Sequence, residues 1–284
     1  MSNTSQYTKK ERAFLSVMLL FILGFLLFYT QFPKYKETYD EGFAELLELA
    51  VTRLLCGGIF LCLAGFLGYG IFSFRRIPSA RALIVLVPAM LVAVNNFPII
   101  GLITGSVTVT ADLPRILLFV LACVGIGLFE ELAFRGVVLP VLLRHILKRM
   151  RAKETGKPRR IPLETTAVFL AIVGASAIFG LFHLLNLLTG ADPLGVLMQI
   201  GYSFLIGGMC AIVLLKTRCI WFSVLIHTVY DLGGMMFRYL CVGRLWDTPT
   251  VILTAVLAVL VAVYFLMTLF RLTPDEVTAL AEVR

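Results

Sequence analysis

The sequence predicts an all-α fold: a polytopic membrane protein with about eight transmembrane helices and both termini on the cytoplasmic side. Three observations carry this reading. The 284 residues are 60% hydrophobic and only 15% charged, against roughly 25% charged in average soluble chains. Several apolar runs match the ~20 residues that a bilayer span requires. The basic residues, which set a net charge of +8, gather in alternate short connections, the pattern of cytoplasmic loops. That placement makes anionic lipid headgroups, not nucleic acid, the expected partner of the positive charge.

The expected spans are 13–31, 50–74, 82–101, 114–143, 163–188, 194–215, 219–241 and 250–270, forming one transmembrane domain over 1–284. Lys9, Lys10 and Arg12 precede the first. That run is longer than the ~7–15 residues of a secretory h-region and no small-x-small cleavage site follows it, so it reads as an uncleaved span. Segment 32–49 is mostly acidic, with Glu37, Asp40, Glu41, Glu45 and Glu48 against Lys34 and Lys36. Its part 37–49 is expected to form an amphipathic helix on the outer face. Arg75, Arg76 and Arg81 follow span two, whereas 102–113 has only Asp112. Segment 144–162 holds eight Lys/Arg against Glu154; 189–193 has only Asp192; Lys216 and Arg218 follow span six. Arg244 and Asp247 share the last loop, and the tail starts at Arg271. The alternation places the basic connections in the cytoplasm.

Cys56, Cys62, Cys123, Cys210, Cys219 and Cys241 all lie in or beside apolar runs without regular metal spacing. They read as reduced, small apolar fillers. Small residues at Gly174-Ala-Ser-Ala177 and Gly207-Gly208 suit close helix approach in spans five and six.

Charge within hydrocarbon costs at least ~2.5–3.5 kcal/mol per group at a helix centre, so it needs a partner or a purpose. Glu130, Glu131 and Arg135 stand together in span four. Glu131 and Arg135 are four apart, hence on one helix face, and an ion pair there offsets their burial. Glu130 points about 100° away and has no such partner in its own helix. Both glutamates serving a polar packing network is the plain alternative. His183 follows Phe179 by four residues, with Asn186 three further on. His227 precedes Asp231 by four, so that carboxylate is placed to fix the imidazole tautomer. Two histidines and an unpaired glutamate on three spans point to chemistry more than to packing. Their expected depths spread over roughly 12 Å at ~1.5 Å rise per residue, a tension that tilt has to close. His145 reads as a surface residue of the basic segment. Asn95-Asn96-Phe97-Pro98 reads as a helix end whose freed backbone groups need partners.

These residues resemble the CPBP family of intramembrane proteases, also called the Abi or type II CAAX prenyl endopeptidase family, which includes the Ras-converting CAAX proteases and lysostaphin-resistance proteins. The resemblance rests on Glu130-Glu131-x-x-x-Arg135, Phe179-x-x-x-His183 and His227-x-x-x-Asp231. It covers residues 86–235, the expected catalytic core, and includes Asn95-Asn96-Phe97-Pro98. It implies that Glu130, His183 and His227 are catalytic, with Glu131, Arg135, Asp231, Phe179 and Asn186 in support. Glu130 would activate a water, His183 would place it, His227 and residue 231 would stabilise the oxyanion, and Arg135 would hold the glutamate pair. The family commonly has asparagine where this chain has Asp231, and an ionised carboxylate repels an oxyanion.

The implied activity is endopeptidase action on membrane-associated peptides or proteins, in a multi-pass protein of a cell membrane, the bacterial inner membrane by its short basic loops. No cofactor is required on this reading, although the family is often labelled metalloprotease. A metal, if bound, would be zinc held by Glu130, His183 and His227; the His-Glu-x-x-His signature of zincins is absent from the sequence. Two other classes compete. One is a catalytically silent scaffold or bacteriocin-immunity protein, favoured by Asp231. The other is an ion- or proton-coupled transporter, against which the lack of an inverted repeat counts.

Overall fold

Apolar runs become helices throughout the residues that the computed structural model describes, 9–67, 79–153, 161–243 and 248–281. The end of span two, Arg75, Arg76, the charged residues of 154–160 and the pair Arg244 and Asp247 lie outside the described residues. Six helices among those described are long and apolar enough to cross a membrane. The chain is therefore a multi-pass, largely helical membrane protein.

α1 (Lys9–Lys36) and α2 (Glu41–Leu67) pack together across a short connection. The expected amphipathic surface helix over 37–49 does not form separately. Instead Glu41 starts α2, with Asp40 capping it through a bond from the Phe43 N–H at 3.1 Å. Leu46 and Ala50 are buried against Phe119, Ala122 and Cys123 of α6 (Leu113–Ala133), so the apolar stripe is covered by protein and not by lipid headgroups.

Span 82–101 is broken into α3 (Ala80–Leu83), α4 (Leu86–Asn95) and α5 (Ile99–Thr104). Pro98 cannot donate to the preceding turn, and ten residues of α4 rise only ~15 Å, about half a bilayer core. Span 219–241 is likewise shorter: α10 (Ile220–Gly234) is followed by α11 (Met236–Tyr239). Its end is set by a close approach. A Cβ at Gly233 would stand 2.6 Å from the Asn96 carbonyl carbon, so α10 meets the broken end of α4 at a residue without a side chain.

Span four runs longer than expected. α6 passes through a π-helical turn (Phe134–Val138) into α7 (Leu139–Ala152). α7 buries Leu139, Leu143 and Leu147 and exposes Arg144, His145, Lys148 and Arg149. Much of the expected basic loop is thus an amphipathic helix. α8 (Leu163–Phe182) ends in a 3-10 turn (His183–Thr189), and Asp192 caps α9 (Pro193–Thr217) by accepting from the Gly195 N–H at 2.7 Å.

The all-α expectation misses one detail. β1 (Val107–Val109) and β2 (Cys241–Gly243) pair antiparallel, which ties the start of α6 to the end of α10 and α11. α12 (Thr248–Phe270) turns Val259 and Leu260 outward, as α1 does Leu19 and Leu20. Apolar surface of that extent suits lipid. α13 (Pro274–Ala281) is fastened to α9 by Lys216 and Glu276, 3.0 Å apart. All six cysteines are free, as their spacing suggests.

Candidate active site

The π-helical turn shapes the site. Leu139 donates its N–H to the Phe134 carbonyl, five residues back. Pro140 has no N–H for the carbonyl of Gly136, and the helix widens there instead of breaking. Glu130 and Glu131 occupy the last turn before the bulge, and Arg135 lies inside it. Gly136 and Pro140 were the available sequence signal, and helical periodicity alone passes over it.

Glu131 is completely buried, and two partners hold it. Arg135 Nη1 lies 3.1 Å from its Oε1, and His227 Nδ1 lies 2.6 Å from the same oxygen. A carboxylate only accepts, so Nδ1 carries a proton. The expected partner for that role was Asp231; in the structure Asp231 faces the other ring nitrogen, with Oδ2 3.6 Å from Nε2, beyond hydrogen-bond length. Asp231 sits one helical turn from His227 on α10 and reaches past the ring edge, whereas Glu131 approaches from α6 directly at Nδ1. The two helices come this close at Gly127, where a Cβ would collide with Thr228 Oγ1 at 2.5 Å.

Glu130 meets the same imidazole from the Nε2 side, with its Oε2 at 3.5 Å. One histidine therefore bridges the two glutamates, tightly to Glu131 and loosely to Glu130. The adjacent carboxylates diverge as expected, one locked and one not.

Arg135 fills a slot made for it. Its guanidinium lies over the Phe179 ring, 4.4 Å from the centroid, and a Cβ at Gly207 would stand 2.8 Å from its Nη2. A desolvated cation–π contact of this kind contributes ~2 kcal/mol or more. Gly207 serves the arginine as well as helix approach, a role its small-residue cluster alone does not specify.

Phe179 also touches both histidines. Its ring is edge-to-face with His183 and His227, at 5.1 and 5.8 Å between centroids. His183 Nδ1 lies 3.0 Å from the Phe179 carbonyl oxygen, which only accepts. Nδ1 therefore carries a proton, which leaves Nε2 as the ring nitrogen that can offer a lone pair. His183 joins the cluster through Phe179; among the described residues no ion pair links it to Glu130.

The outlying residues brace this arrangement. Asn186 donates from Nδ2 to Gln199 Oε1 at 2.8 Å, which holds the 3-10 turn against α9. Asn96 Nδ2 donates to the Tyr230 carbonyl at 2.8 Å, and Asn95 Nδ2 to Thr254 Oγ1 at 2.8 Å. The broken end of α4 thus grips α10 one residue before Asp231. Phe129, Phe134 and Phe182 complete an aromatic wall around Phe179.

Among the described residues no three His, Cys, Asp or Glu side chains form a grouping suited to a metal ion. Glu130 and His227 approach each other, and His183 reaches them through the Phe179 ring, with its Nε2 not engaged by the Phe179 carbonyl.

No curated protein and no solved structure matches the chain. Residues 112–233 match the model of the Rce1-like type II CAAX prenyl endopeptidase family. That stretch contains Glu130, Glu131, Arg135, Phe179, His183, His227 and Asp231, and the match bears out the family resemblance read from those motifs.

Proposed function

We propose that the protein is an intramembrane endopeptidase in which Glu130 activates water against a peptide bond of a membrane-associated peptide or protein. The observation that carries this is the unequal treatment of two neighbouring carboxylates. Glu131 is locked by Arg135 and His227, whereas Glu130 lies 3.5 Å from His227 with no shorter partner among the described residues. A base must be able to take and give a proton, and a carboxylate fixed by a buried guanidinium cannot do so cheaply.

Glu130 takes a proton from water as the water oxygen bonds to the carbonyl carbon and the carbonyl electrons move onto oxygen. Protonated Glu130 then gives that proton to the departing amine nitrogen as the C–N bond breaks, which returns the carboxylate. The lone pair on His183 Nε2 accepts a hydrogen bond from the attacking water. His227 in its protonated form presents Nε2–H to the Glu130 side, where the oxyanion develops, and the Glu131 carboxylate offsets its charge. Asp231 borders that nitrogen and orients it instead of donating to the oxyanion. The protein needs no cofactor on this reading; its partners are the bilayer and a membrane-bound substrate, and nucleic acid is not among them. The basic segments and both termini face the cytoplasm of a bacterial inner membrane.

Cleavage of a panel of membrane-associated peptides by wild type and Glu130→Ala, with and without chelator, tests this. Turnover by wild type that persists under chelator and vanishes in the variant is the expected result. Equal turnover by both proteins removes Glu130 as the base. Asp231 in the position commonly held by asparagine favours the second reading, a silent scaffold, and absence of turnover across the panel would support it.

A further inference from the structure

Arg53 is a buried-side cation that the chemistry above does not use. It lies in α2, and its Cβ would be 3.2 Å from a Cβ built at Gly125 of α6, so it points into the α2–α6 seam. Its guanidinium carbon is 5.1 Å from the centroid of Phe129, the residue before Glu130. Leu113 and Phe129 are sixteen residues apart, ~24 Å along α6, which puts the guanidinium at the depth of the site and far from the outer end of the bundle. Arg53, Cys56 and Phe60 follow at i, i+3 and i+7, hence along one face of α2. Cys56 and Phe60 pack on the aromatic wall of Phe129, Phe134 and Phe179. Arg53 extends that same face.

Beyond the Phe129 ring, an arginine at this depth calls for a polar partner, and a carboxylate is the strongest one for a guanidinium. Among the described residues it has no ion pair, and its buried Nε has no acceptor. No acid of the site pairs with it: Glu131 is held by Arg135 and His227, and Glu130 and Asp231 face the Nε2 side of His227. Arg53 is only partly buried, so part of the guanidinium stays open to an incoming group.

We infer that Arg53 is a specificity-determining residue that binds a carboxylate of the substrate peptide beside the aromatic wall. The inference rests on the peptidase reading. Guanidinium recognises a planar carboxylate through two parallel N–H donors, a geometry that lysine lacks. The carboxylate is either a peptide's C-terminus or an acidic side chain, and the experiment separates the two.

Binding of dye-labelled hydrophobic peptides is measured in phosphatidylcholine nanodiscs. One pair differs only in a free or amidated C-terminus, and a second, amidated pair carries an internal Glu or Gln. Wild type is expected to bind the acid member of one pair at least tenfold tighter, and which pair does so identifies the carboxylate. Arg53→Met should abolish the preference, and Arg53→Lys should keep part of it, with melting temperatures showing that both variants fold. Equal binding of acid and neutral members by wild type, or a preference kept in Arg53→Met, overturns the inference. So does a result in which phosphatidylglycerol stabilises wild type but not Arg53→Met while no peptide is discriminated, since the anion is then a lipid headgroup. Cleavage of the same peptides is followed in parallel. Discrimination tied to Arg53 without cleavage sinks the peptidase reading alone, and cleavage without discrimination sinks only the role of Arg53.

Discussion

The buried polar knot between α6 and α10 and the charged rim at the start of α2 use the same residue types to opposite effect. At the rim, Asp40 pairs with Arg115 at 2.7 Å and Glu45 with Arg238, all in exposed or partly exposed positions. In the knot, Glu131, Arg135 and His227 are almost wholly removed from solvent. The rim pairs can exchange their partners for water and ions, so each contributes little. The knot cannot, so loss of one member leaves another charge buried and alone. The lesson is that the short ion-pair distances do not rank these sites; burial does.

Removing the cation from the knot should give the largest effect. Arg135→Met is expected to destabilise the protein by about 3–5 kcal/mol, because Glu131 keeps its charge without its guanidinium. Thermal unfolding in detergent or nanodiscs measures this, and a loss no larger than that of a rim variant would erase the contrast between the regions. Gly207→Val comes next. It drives a side chain into the Arg135 guanidinium and the Phe179 ring, and overpacking of this kind costs about 1–3 kcal/mol. An unchanged melting temperature would mean that the arginine slot is looser than the geometry implies.

Asn96→Ala is expected to cost about 1 kcal/mol through the lost bond to Tyr230, and to lower the rate of hydrolysis with little change in KM, since α10 and its histidine shift. A variant with full activity would detach α4 from the site. The rim gives the smallest effect. The Phe43 N–H bond and then Arg115 hold the Asp40 carboxyl below its ordinary range. Its contribution is therefore complete above the unfolded value of 3.8 and fades as pH falls through the lower folded value. Asp40→Asn should cause a slight drop in melting temperature at neutral pH that shrinks in high salt and disappears toward acid. A large, salt-independent drop would place Asp40 in the same class as the knot.

How far the sequence reveals this molecule depends on the kind of signal. The membrane class and six of the eight expected spans were legible, each on one of the six long apolar helices, because long apolar runs have few other uses. The Glu131–Arg135 pair and the separate status of Glu130 were legible too, since four-residue spacing and a 100° offset follow from helix geometry. What stayed hidden involves backbone exceptions and partners far apart in sequence. Pro140 creates a π-turn only because its missing donor meets a packed helix that tolerates widening. Pro98 breaks one expected span, and Gly233 lets the other meet that broken end at Asn96 and Phe97. Glu131 displaces Asp231 at Nδ1 because α6 and α10 approach at Gly127, a contact across 96 residues that local periodicity does not encode. The role of Gly207 beside Arg135 is hidden for the same reason.

The central claim is that two adjacent glutamates divide the work, Glu130 reacting and Glu131 holding. Glu130→Gln and Glu131→Gln, compared for peptide hydrolysis and for melting temperature in the same nanodiscs, test it most directly. Glu130→Gln is expected to melt close to wild type while hydrolysis falls by ~10²–10⁴-fold, and Glu131→Gln is expected to melt well below both. Hydrolysis that survives in Glu130→Gln, or equal destabilisation by the two substitutions, would contradict it.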